Sequence, residues 1–218
     1  MEPFKTLKDH VYDYISDEIR KSNIKPNEKI SENQICEALN VSRTPVREAL
    51  IELASTGILE REPRRGFIVK EVTLEKIKEV YVILGVLEGL STKLSIDNLT
   101  KEDIDELELI INKIDDSIED KNYYEYYKLQ YKFHSIINNA SGNGELIKTI
   151  EILKKSLIKQ TYNMEHTNKE ITDMLKTTNS EHKKIVELIR EKDKEGVEEY
   201  MKNVHWDVSY AKFDAIWD

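Results

Sequence analysis

Residues 41–50, Val-Ser-Arg-Thr-Pro-Val-Arg-Glu-Ala-Leu, constrain the fold more than any other segment of the chain. Arg43 and Arg47 are four residues apart, so a helix presents both from one face. The opposite face is apolar and consists of Val46, Ala49, Leu50 and Leu53. We therefore predict a short amphipathic helix with a cationic leading end, which is the form that reads a DNA major groove.

The residues at the start of this helix suit a first helical turn. Pro45 needs no amide donor at such a position. Ser42 or Thr44 can supply the oxygen atom that caps the helix N-terminus. The predicted helix therefore begins close to Ser42.

Two more helices are predicted before this segment. Apolar residues recur every four positions at Leu7, Val11, Ile15 and Ile19. Ser31 can cap a second helix over residues 32–39, in which Ile35, Ala38 and Leu39 face inward. A tight turn at residues 40–42 then leads into the arginine helix, and this spacing is that of a helix-turn-helix.

A β-hairpin is predicted to follow the three helices. Residues 58–61 and 67–69 have the pattern of two short strands, and Pro63-Arg64-Arg65-Gly66 between them forms a turn with a cationic tip. Residues 1–72 are thus predicted to form a winged helix-turn-helix domain. On spacing alone, an unrelated helical hairpin whose arginines are merely solvated fits equally well.

Residues 73–218 are predicted to form a second, all-helical domain. The whole chain has only seven Gly and four Pro, and the later apolar residues recur at steps of three and four with no strand-like alternation. Helices are expected at residues 73–96, after a capping box that starts at Thr100, and at residues 123–139, 144–164, 180–190 and 194–206. The predicted fold class is mostly α, with a winged helix-turn-helix followed by an antiparallel bundle of six or seven helices.

The charge of the chain is unevenly distributed. The net charge is −9, but residues 1–70 hold 12 basic and 12 acidic residues, which leaves 21 of the 33 basic and 30 of the 42 acidic residues for the remainder. A local basic patch can bind phosphates while an acidic remainder suppresses nonspecific adhesion. The charge split therefore favours a front domain that binds nucleic acid.

The single cysteine and the hydropathy pattern bear on the compartment. Cys36 has no partner for an internal disulfide and is predicted to be a buried thiol in a reducing compartment. Residues 1–9 lack the apolar core of a secretory signal, and Glu88 interrupts the most hydrophobic run, residues 81–90. We expect a cytoplasmic protein with no membrane span.

The front-domain features together resemble the GntR family of bacterial transcription regulators. The winged helix-turn-helix of that family contains a string like residues 41–50, and the resemblance extends over about residues 5–70, including Gly57 and Arg65-Gly66. It implies that Arg43 and Arg47 contact base edges or phosphates of double-stranded operator DNA. The remaining contacts implied are from Ser42 and Thr44 to the DNA backbone, and from Gly66 with Arg64 or Arg65 to the minor groove.

One position departs from the family pattern. Many members carry an arginine after the glutamate of the second helix, where this chain has Asn33. One phosphate contact is therefore expected to be weaker.

The rear domain contains three histidines that can come from three different helices. His134, His182 and His205 could converge on one divalent metal ion in the core of a bundle, although histidines scattered over amphipathic helices are more often ordinary packing residues. Residues 76–206 resemble the FCD ligand-sensing domain of the FadR subfamily of GntR regulators. The similar motifs are Phe133-His134, Ala-Ser-Gly-Asn at residues 140–143, Glu181-His182 and the late His205.

This resemblance implies a site for Zn²⁺ or Ni²⁺ with three histidine ligands. In metal-binding members an aspartate four residues before the first histidine is the fourth ligand, and Gln130 stands at that position here. An amide oxygen is a poorer ligand for these ions than a carboxylate, so a metal-free polar pocket is the alternative. Leu84 replaces an arginine that is frequent in the family and could help to hold an anionic effector.

Several tyrosines crowd the helix that carries His134. Tyr127, Gln130 and Tyr131 are the residues predicted to contact a small-molecule effector: Gln130 lies one turn from His134, and each tyrosine lies within one turn of Gln130 or His134. The alternative is that the tyrosines only pack beneath neighbouring helices. The family favours a small organic acid as effector.

The leading functional hypothesis is a transcription regulator. We expect a homodimeric, metabolite-responsive repressor that binds a near-palindromic operator through two winged domains. A metal-dependent helical-bundle enzyme with an appended DNA-binding module is the alternative from another class, and a bundle that serves only dimerisation is a third. The neutral Gln130 argues against the enzyme, because such a site usually needs a carboxylate.

Overall fold

The computed structural model describes residues 6–20, 23–157 and 169–214. These residues form two compact units: the described residues up to 73 together with residues 152–157, and residues 74–151 together with residues 169–214. Both units are mainly helical, and the described part of the chain contains one two-stranded antiparallel sheet, in the first unit. The predicted fold class is confirmed.

The first unit consists of three helices followed by a hairpin. Its elements are α1 (Leu7–Arg20), α2 (Glu32–Leu39), α3 (Arg43–Ser55), β1 (Leu59–Glu62) and β2 (Gly66–Val69). The two strands pair so that the first residue of β1 lies opposite the last residue of β2. This order is that of a helix-turn-helix with a wing.

The apolar repeat that predicted α1 and α3 forms the core of this unit. The core residues include Val11, Ile15, Ile19, Ile35, Val46, Ala49, Leu50, Leu53 and Phe67, all of them buried. Ser31 caps α2 as expected, since its hydroxyl accepts a hydrogen bond from the Gln34 amide. Asn40 ends α2 in the left-handed region, with φ of 51°, and this turn directs the chain into α3.

Four details of the first unit differ from the expectation. Leu7, the first residue of the apolar repeat in α1, is 62 % exposed and lies outside the core. Ser42 is the N-cap residue of α3, but its side chain makes no capping hydrogen bond. Ala38 is exposed instead of facing inward, and Cys36 is only half-buried beside the core. The reason for the last two is that α2 is a short helix, of which only Ile35 is fully buried.

The second unit is a bundle of helices with no strand among its described residues. Its elements are α4 (Leu74–Ser95), α5 (Lys101–Glu119), α6 (Tyr123–Ala140), α7 (Gly144–Ser156, whose last turn groups with the first unit), α8 (Lys169–Glu191), α9 (Lys194–Tyr200), a π-helical turn (Met201–His205), a 3-10 turn (Val208–Tyr210) and α10 (Ala211–Asp214). The predicted end of α7 near residue 164 lies outside the described residues. The capping box at Thr100 is confirmed, because Thr100 and Asp103 each bond the other's backbone amide.

Helix α8 begins at Lys169, well before the predicted start at Ser180. The polar run at residues 177–180 resembles a helix start, but its hydroxyls bond carbonyl groups inside the helix. Thr177 donates to the Asp173 carbonyl, Thr178 to that of Met174, and Ser180 to that of Thr177. The polar side chains are therefore satisfied without a break in the helix.

Two glycines of α4 allow the C-terminal segment to pack closely against this helix. A Cβ atom at Gly89 would lie 2.9 Å from the Glu198 carbonyl oxygen, and one at Gly85 would lie 3.1 Å from the Trp206 Cβ. The π-helical turn that follows α9 carries His205 and ends next to Trp206. Close packing at the glycines thus brings both side chains towards the interior of the bundle.

None of the helices in the described residues is long and apolar enough to cross a membrane.

Candidate functional site

The N-terminal end of α3 presents four of the residues predicted to contact DNA. Ser42, Arg43, Thr44 and Arg47 are all exposed. Their backbone positions follow from the buried apolar face of α3, which leaves this side of the helix directed to solvent.

Both arginines of α3 contact side chains of α2. Arg43 Nη2 donates to Asn33 Oδ1 at 3.0 Å, and Arg47 Nε lies 2.9 Å from Glu32 Oε2. The side chains of Arg47 and Glu32 are 59 % and 27 % exposed, so solvent screens this ion pair. Asn33, which replaces the arginine frequent in the family, thus acts as a hydrogen-bond acceptor for Arg43.

The hairpin tip carries the other three predicted contact residues. Arg64, Arg65 and Gly66 are exposed, and both Arg64 and Gly66 have positive φ values, of 68° and 89°. Arg65 Nη1 forms an ion pair of 2.9 Å with Glu62 Oε2. The turn therefore directs a short cationic tip into solvent.

A second candidate site lies inside the bundle, where three histidines meet. His134 lies on α6, His182 on α8 and His205 on the π-helical turn. One ring nitrogen from each lies within 4.8 Å of the others, and all three residues are buried. The structure thus brings together the three residues that the sequence predicted as metal ligands.

Each histidine is oriented by a hydrogen bond at its Nδ1 atom. His134 Nδ1 lies 2.9 Å from Glu88 Oε2, and His205 Nδ1 lies 2.9 Å from Glu181 Oε2. His182 Nδ1 lies 3.1 Å from Asn179 Oδ1. The Nε2 atoms of His134 and His205 face each other at 3.2 Å.

These contacts determine the tautomers of the two facing imidazoles. Ionised carboxylates only accept hydrogen bonds, so the Nδ1 atoms of His134 and His205 must carry protons. Their Nε2 atoms then carry lone pairs in the neutral rings. Two lone pairs at 3.2 Å repel each other unless a cation or a proton lies between them.

The third imidazole has the same tautomer for a separate reason. Asn179 Nδ2 donates to the Ile111 carbonyl at 3.0 Å and to Asp115 Oδ1 at 2.7 Å, which identifies its Oδ1 as an acceptor. His182 Nδ1 must therefore donate, and its Nε2 carries a lone pair as well. All three histidines thus offer Nε2 as a donor atom for a metal ion.

Two carboxylates, those of Glu88 and Glu181, accept hydrogen bonds from the Nδ1 atoms of His134 and His205 and are themselves held by further donors. Besides His134, Glu88 accepts hydrogen bonds from Trp206 Nε1 at 2.9 Å and from Asn138 Nδ2 at 3.0 Å. Besides His205, Glu181 accepts a hydrogen bond of 2.6 Å from the Tyr210 hydroxyl. Burial and this bond to Glu181 raise the pKa of Tyr210 above its ordinary value, so the hydroxyl keeps its proton.

Comparisons with known proteins agree for both units. Residues 7–69 match the model of the bacterial regulatory proteins of the gntR family, and residues 79–205 match that of the FCD domain. This chain belongs to the GntR family. It is a DNA-binding transcriptional regulator with an FCD domain, and the family does not support an enzyme with an appended DNA-binding module.

The relatives of this GntR regulator are themselves named as transcriptional regulators. An uncharacterized HTH-type regulator of Bacillus subtilis, YdhC, is 29 % identical over 191 residues, which cover 87 % of this chain and 84 % of YdhC. The Escherichia coli repressor RspR is 25 % identical over 162 residues, which cover 74 % of this chain and 71 % of RspR. The structure of E. coli McbR/YncC has the same fold, with a TM-score of 0.81, 24 % identity, and coverage of 96 % of this chain and 100 % of McbR/YncC.

The donor set of this GntR regulator fits a divalent ion. Three imidazole nitrogens with a fourth open position are a common set of protein ligands for Zn²⁺, and imidazole also suits Ni²⁺. Hydrogen bonds from the other ring nitrogen to carboxylates and amides are typical of histidines that ligate metals. The residues present therefore match the group that the FCD domain implies.

The predicted effector residues lie on the same helix as His134. Gln130 is half-buried and its Nε2 donates to the Tyr126 hydroxyl at 2.6 Å. Tyr127 is half-buried, and its ring packs edge-on against Tyr126 with 5.3 Å between centroids. Tyr131 is 51 % exposed, and its hydroxyl donates to Glu151 on α7 at 2.7 Å.

The sequence did not predict the residues that orient the histidines. Nothing in the local sequence marks Trp206 or Asn179, whereas Glu88 interrupts an apolar run and aligns with a glutamate of the family. That interruption was the available signal, because a glutamate on the buried face of an otherwise apolar helix needs polar partners.

Proposed function

We propose that this GntR regulator is a repressor that releases its operator in response to a small carboxylate effector. The single observation that carries this proposal is the buried centre of His134, His182 and His205, in which one ring nitrogen of each lies within 4.8 Å of the others. A centre of this kind in a DNA-binding regulator has a sensing role, and the operator lies in the cytoplasm.

The DNA contacts of the proposed regulator come from α3 and from the hairpin tip. Arg43 and Arg47 would reach base edges or phosphates of the major groove. Ser42 and Thr44 would bind the DNA backbone, and Arg64 or Arg65 with Gly66 would enter the minor groove. All of these residues are exposed, and the partners of Arg47 and Arg65 are side chains of partly exposed glutamates. DNA phosphates can therefore compete for these arginines.

The proposed sensing site holds Zn²⁺ or Ni²⁺ through the three histidines. Gln130 or a water molecule would be a weak neutral ligand at the fourth position, so an effector carboxylate can bind there. Gln130, Tyr127 and Tyr131 are proposed as its further contacts. Binding would shift the helices of the bundle, with a typical coupling of about 1–3 kcal/mol to DNA affinity.

A near-palindromic operator requires a dimer, and α4 offers a surface for one. In the described residues 82–90, every exposed side chain is apolar, and the resulting strip consists of Val82, Ile83, Val86, Leu90 and, one turn further, Leu94. An antiparallel pairing of two α4 helices about Val86 would place Val82 opposite Leu90 and Glu79 near Lys93, which have opposite charges. We propose a second copy of this chain as the partner of this strip.

Selection of binding sites from a random DNA duplex pool tests the proposal. The expected product is an inverted repeat, which the protein binds as a dimer. Enrichment of single half-sites would contradict the dimer. The selected duplex is then titrated at fixed salt with Zn²⁺-loaded protein and a panel of small carboxylic acids, and no change of affinity with any acid would contradict the sensing role.

A Val86→Asp variant tests the dimer surface separately. Sedimentation velocity is expected to show a monomer, because two like charges would meet on a twofold axis. Lys113→Asp is the matched control, since it introduces the same residue at an exposed position of a different helix, α5. A Val86→Asp variant that stays dimeric would exclude this surface.

A further inference from the structure

We infer that Glu88 and Glu181 are positioning residues that supply the negative charge for a divalent ion which the ligands themselves do not supply. This inference rests on the proposed metal centre and assigns the residues on which its affinity depends. The two carboxylates would act through His134 and His205 without touching the ion.

The ligand set itself is neutral. His134, His182 and His205 bind as neutral imidazoles through Nε2, and Gln130 at the fourth position would contribute an uncharged amide. A divalent ion in a buried site without nearby anions is unfavourable, because burial removes the water that would otherwise solvate its charge. The charge must be balanced by groups behind the ligands.

Glu88 meets this requirement on the α4 side of the centre. It is fully buried, at 0 % exposure, and three donors surround it: His134 Nδ1, Trp206 Nε1 and Asn138 Nδ2. The indole N–H can only donate, so the oxygen atom it shares with His134 acts as an acceptor. These contacts favour the ionised carboxylate and fix the direction in which His134 presents Nε2.

Glu181 plays the same part on the side of the C-terminal segment. It is buried, and its two oxygens accept from His205 Nδ1 and from the Tyr210 hydroxyl, one each. The two carboxylates together carry two negative charges, which equals the charge of one divalent ion. A metal-bound centre would therefore be neutral in sum.

The third histidine provides an internal comparison. His182 is held by Asn179, a neutral amide, while Asn179 is itself fixed by the Ile111 carbonyl and Asp115. The orientation of His182 is thus defined without a charge next to its ring. An ionised carboxylate at residue 179 would face the Ile111 carbonyl oxygen and Asp115 Oδ1, both of which need a donor, so the neutral amide suits this position.

Zinc affinity of the full-length protein tests the inference, measured by competition with a chromophoric chelator. Glu88→Gln and Glu181→Gln each remove one charge while keeping the side-chain volume, and each is expected to weaken Zn²⁺ binding about 10–100-fold. Glu181→Asp keeps the charge and is expected to retain more affinity than Glu181→Gln.

A spectroscopic readout separates positioning from ligation. With Co²⁺ in place of Zn²⁺, the visible absorption bands of Glu181→Gln are expected to stay at the wild-type wavelengths, because the ligand set is unchanged. A shift of these bands would show that Glu181 is itself a ligand and would overturn the assignment. Wild-type zinc affinity in both Gln variants would overturn it as well.

The result also distinguishes this inference from the proposed function. If the wild-type protein binds no zinc but still binds DNA, both the proposed metal centre and the inference that rests on it are contradicted. If the wild type binds zinc and the Gln variants bind it equally well, the inference alone fails. Should Glu88→Gln not fold, as judged by circular dichroism, the two variants at residue 181 still decide the outcome.

Discussion

The surface proposed to contact DNA and the histidine centre place their charged groups in opposite environments. At the surface, the side chains of Arg47 and Glu32 are 59 % and 27 % exposed, whereas those of His134 and Glu88 are 7 % and 0 % exposed. An exposed ion pair contributes about 0–1 kcal/mol, but breaking a buried pair costs about 3–5 kcal/mol. The arginines proposed to contact DNA can therefore exchange their partners at little cost, whereas the buried carboxylate cannot lose its partners without a large cost.

The largest effect is expected on stability, from replacing a buried residue of the histidine centre. Glu88→Ala removes the acceptor for three buried donors, so the metal-free protein should lose about 3–5 kcal/mol in the free energy of unfolding. Urea denaturation with a chelator present measures this loss. Glu119→Ala, at an exposed position of α5, is the control and should change stability by less than about 0.5 kcal/mol. Equal effects of the two variants would contradict the difference between the environments.

Replacement of the surface arginines is expected to affect binding instead of stability. Arg43→Ala and Arg47→Ala should each weaken operator binding by about 1–3 kcal/mol if the arginine reads a guanine. Fluorescence anisotropy with the selected operator at fixed salt measures the change, and thermal denaturation checks that the fold is intact. Unchanged affinity in both variants would remove these residues from the DNA interface.

Replacing Asp103, the carboxylate of the capping box, is expected to have a smaller effect than the changes above. Hydrogen bonds from the Thr100 backbone amide and hydroxyl hold the pKa of Asp103 below its ordinary value of 3.8. Because the folded pKa is lowered, this contribution to stability is present above pH 3.8 and is lost as the pH falls through the folded pKa. Asp103→Ala should therefore cost about 1 kcal/mol at neutral pH and less under acid conditions. Denaturation at both pH values gives this difference, and an equal cost at both would contradict the assignment.

The smallest effect is expected for the partner of Arg47. Glu32→Gln removes a carboxylate that competes with DNA phosphates for the arginine, so operator affinity should rise by about 0.2–1 kcal/mol. The same anisotropy titration measures this rise, and Glu37→Gln on the same helix is the control. Weaker binding in Glu32→Gln would show that the ion pair orients Arg47 for DNA. A carboxylate would then position Arg47 as Glu88 positions His134.

The elements of the DNA-binding unit could be predicted because their signals are local. The buried face of α3 follows from residues within three turns of one another, and Asn40 and Gly66 mark turns by positive φ values that few residue types accept. The start of α8 was predicted wrongly because a polar run can either end a helix or bond back into it. Local sequence does not decide between these outcomes.

The buried centre could be predicted only in part. The order of His134, His182 and His205 indicated the ligand set through resemblance to a family. The bond between Trp206 and Glu88 joins residues that are 118 positions apart, and no periodicity predicts such a contact. It exists because the glycines of α4 let the C-terminal segment approach, which is a property of packing between distant parts of the chain.

The position of Trp206 beside the histidine centre makes its fluorescence a probe of metal binding. Its indole N–H donates to Glu88, and its ring centroid lies 6.1 Å from that of His134. A paramagnetic ion such as Ni²⁺ held by the histidines would quench the emission of this indole at such short range. With Trp217 replaced by phenylalanine, Trp206 is the single tryptophan of the chain, and its selectively excited emission reports the occupancy of the histidine centre while the protein is bound to DNA.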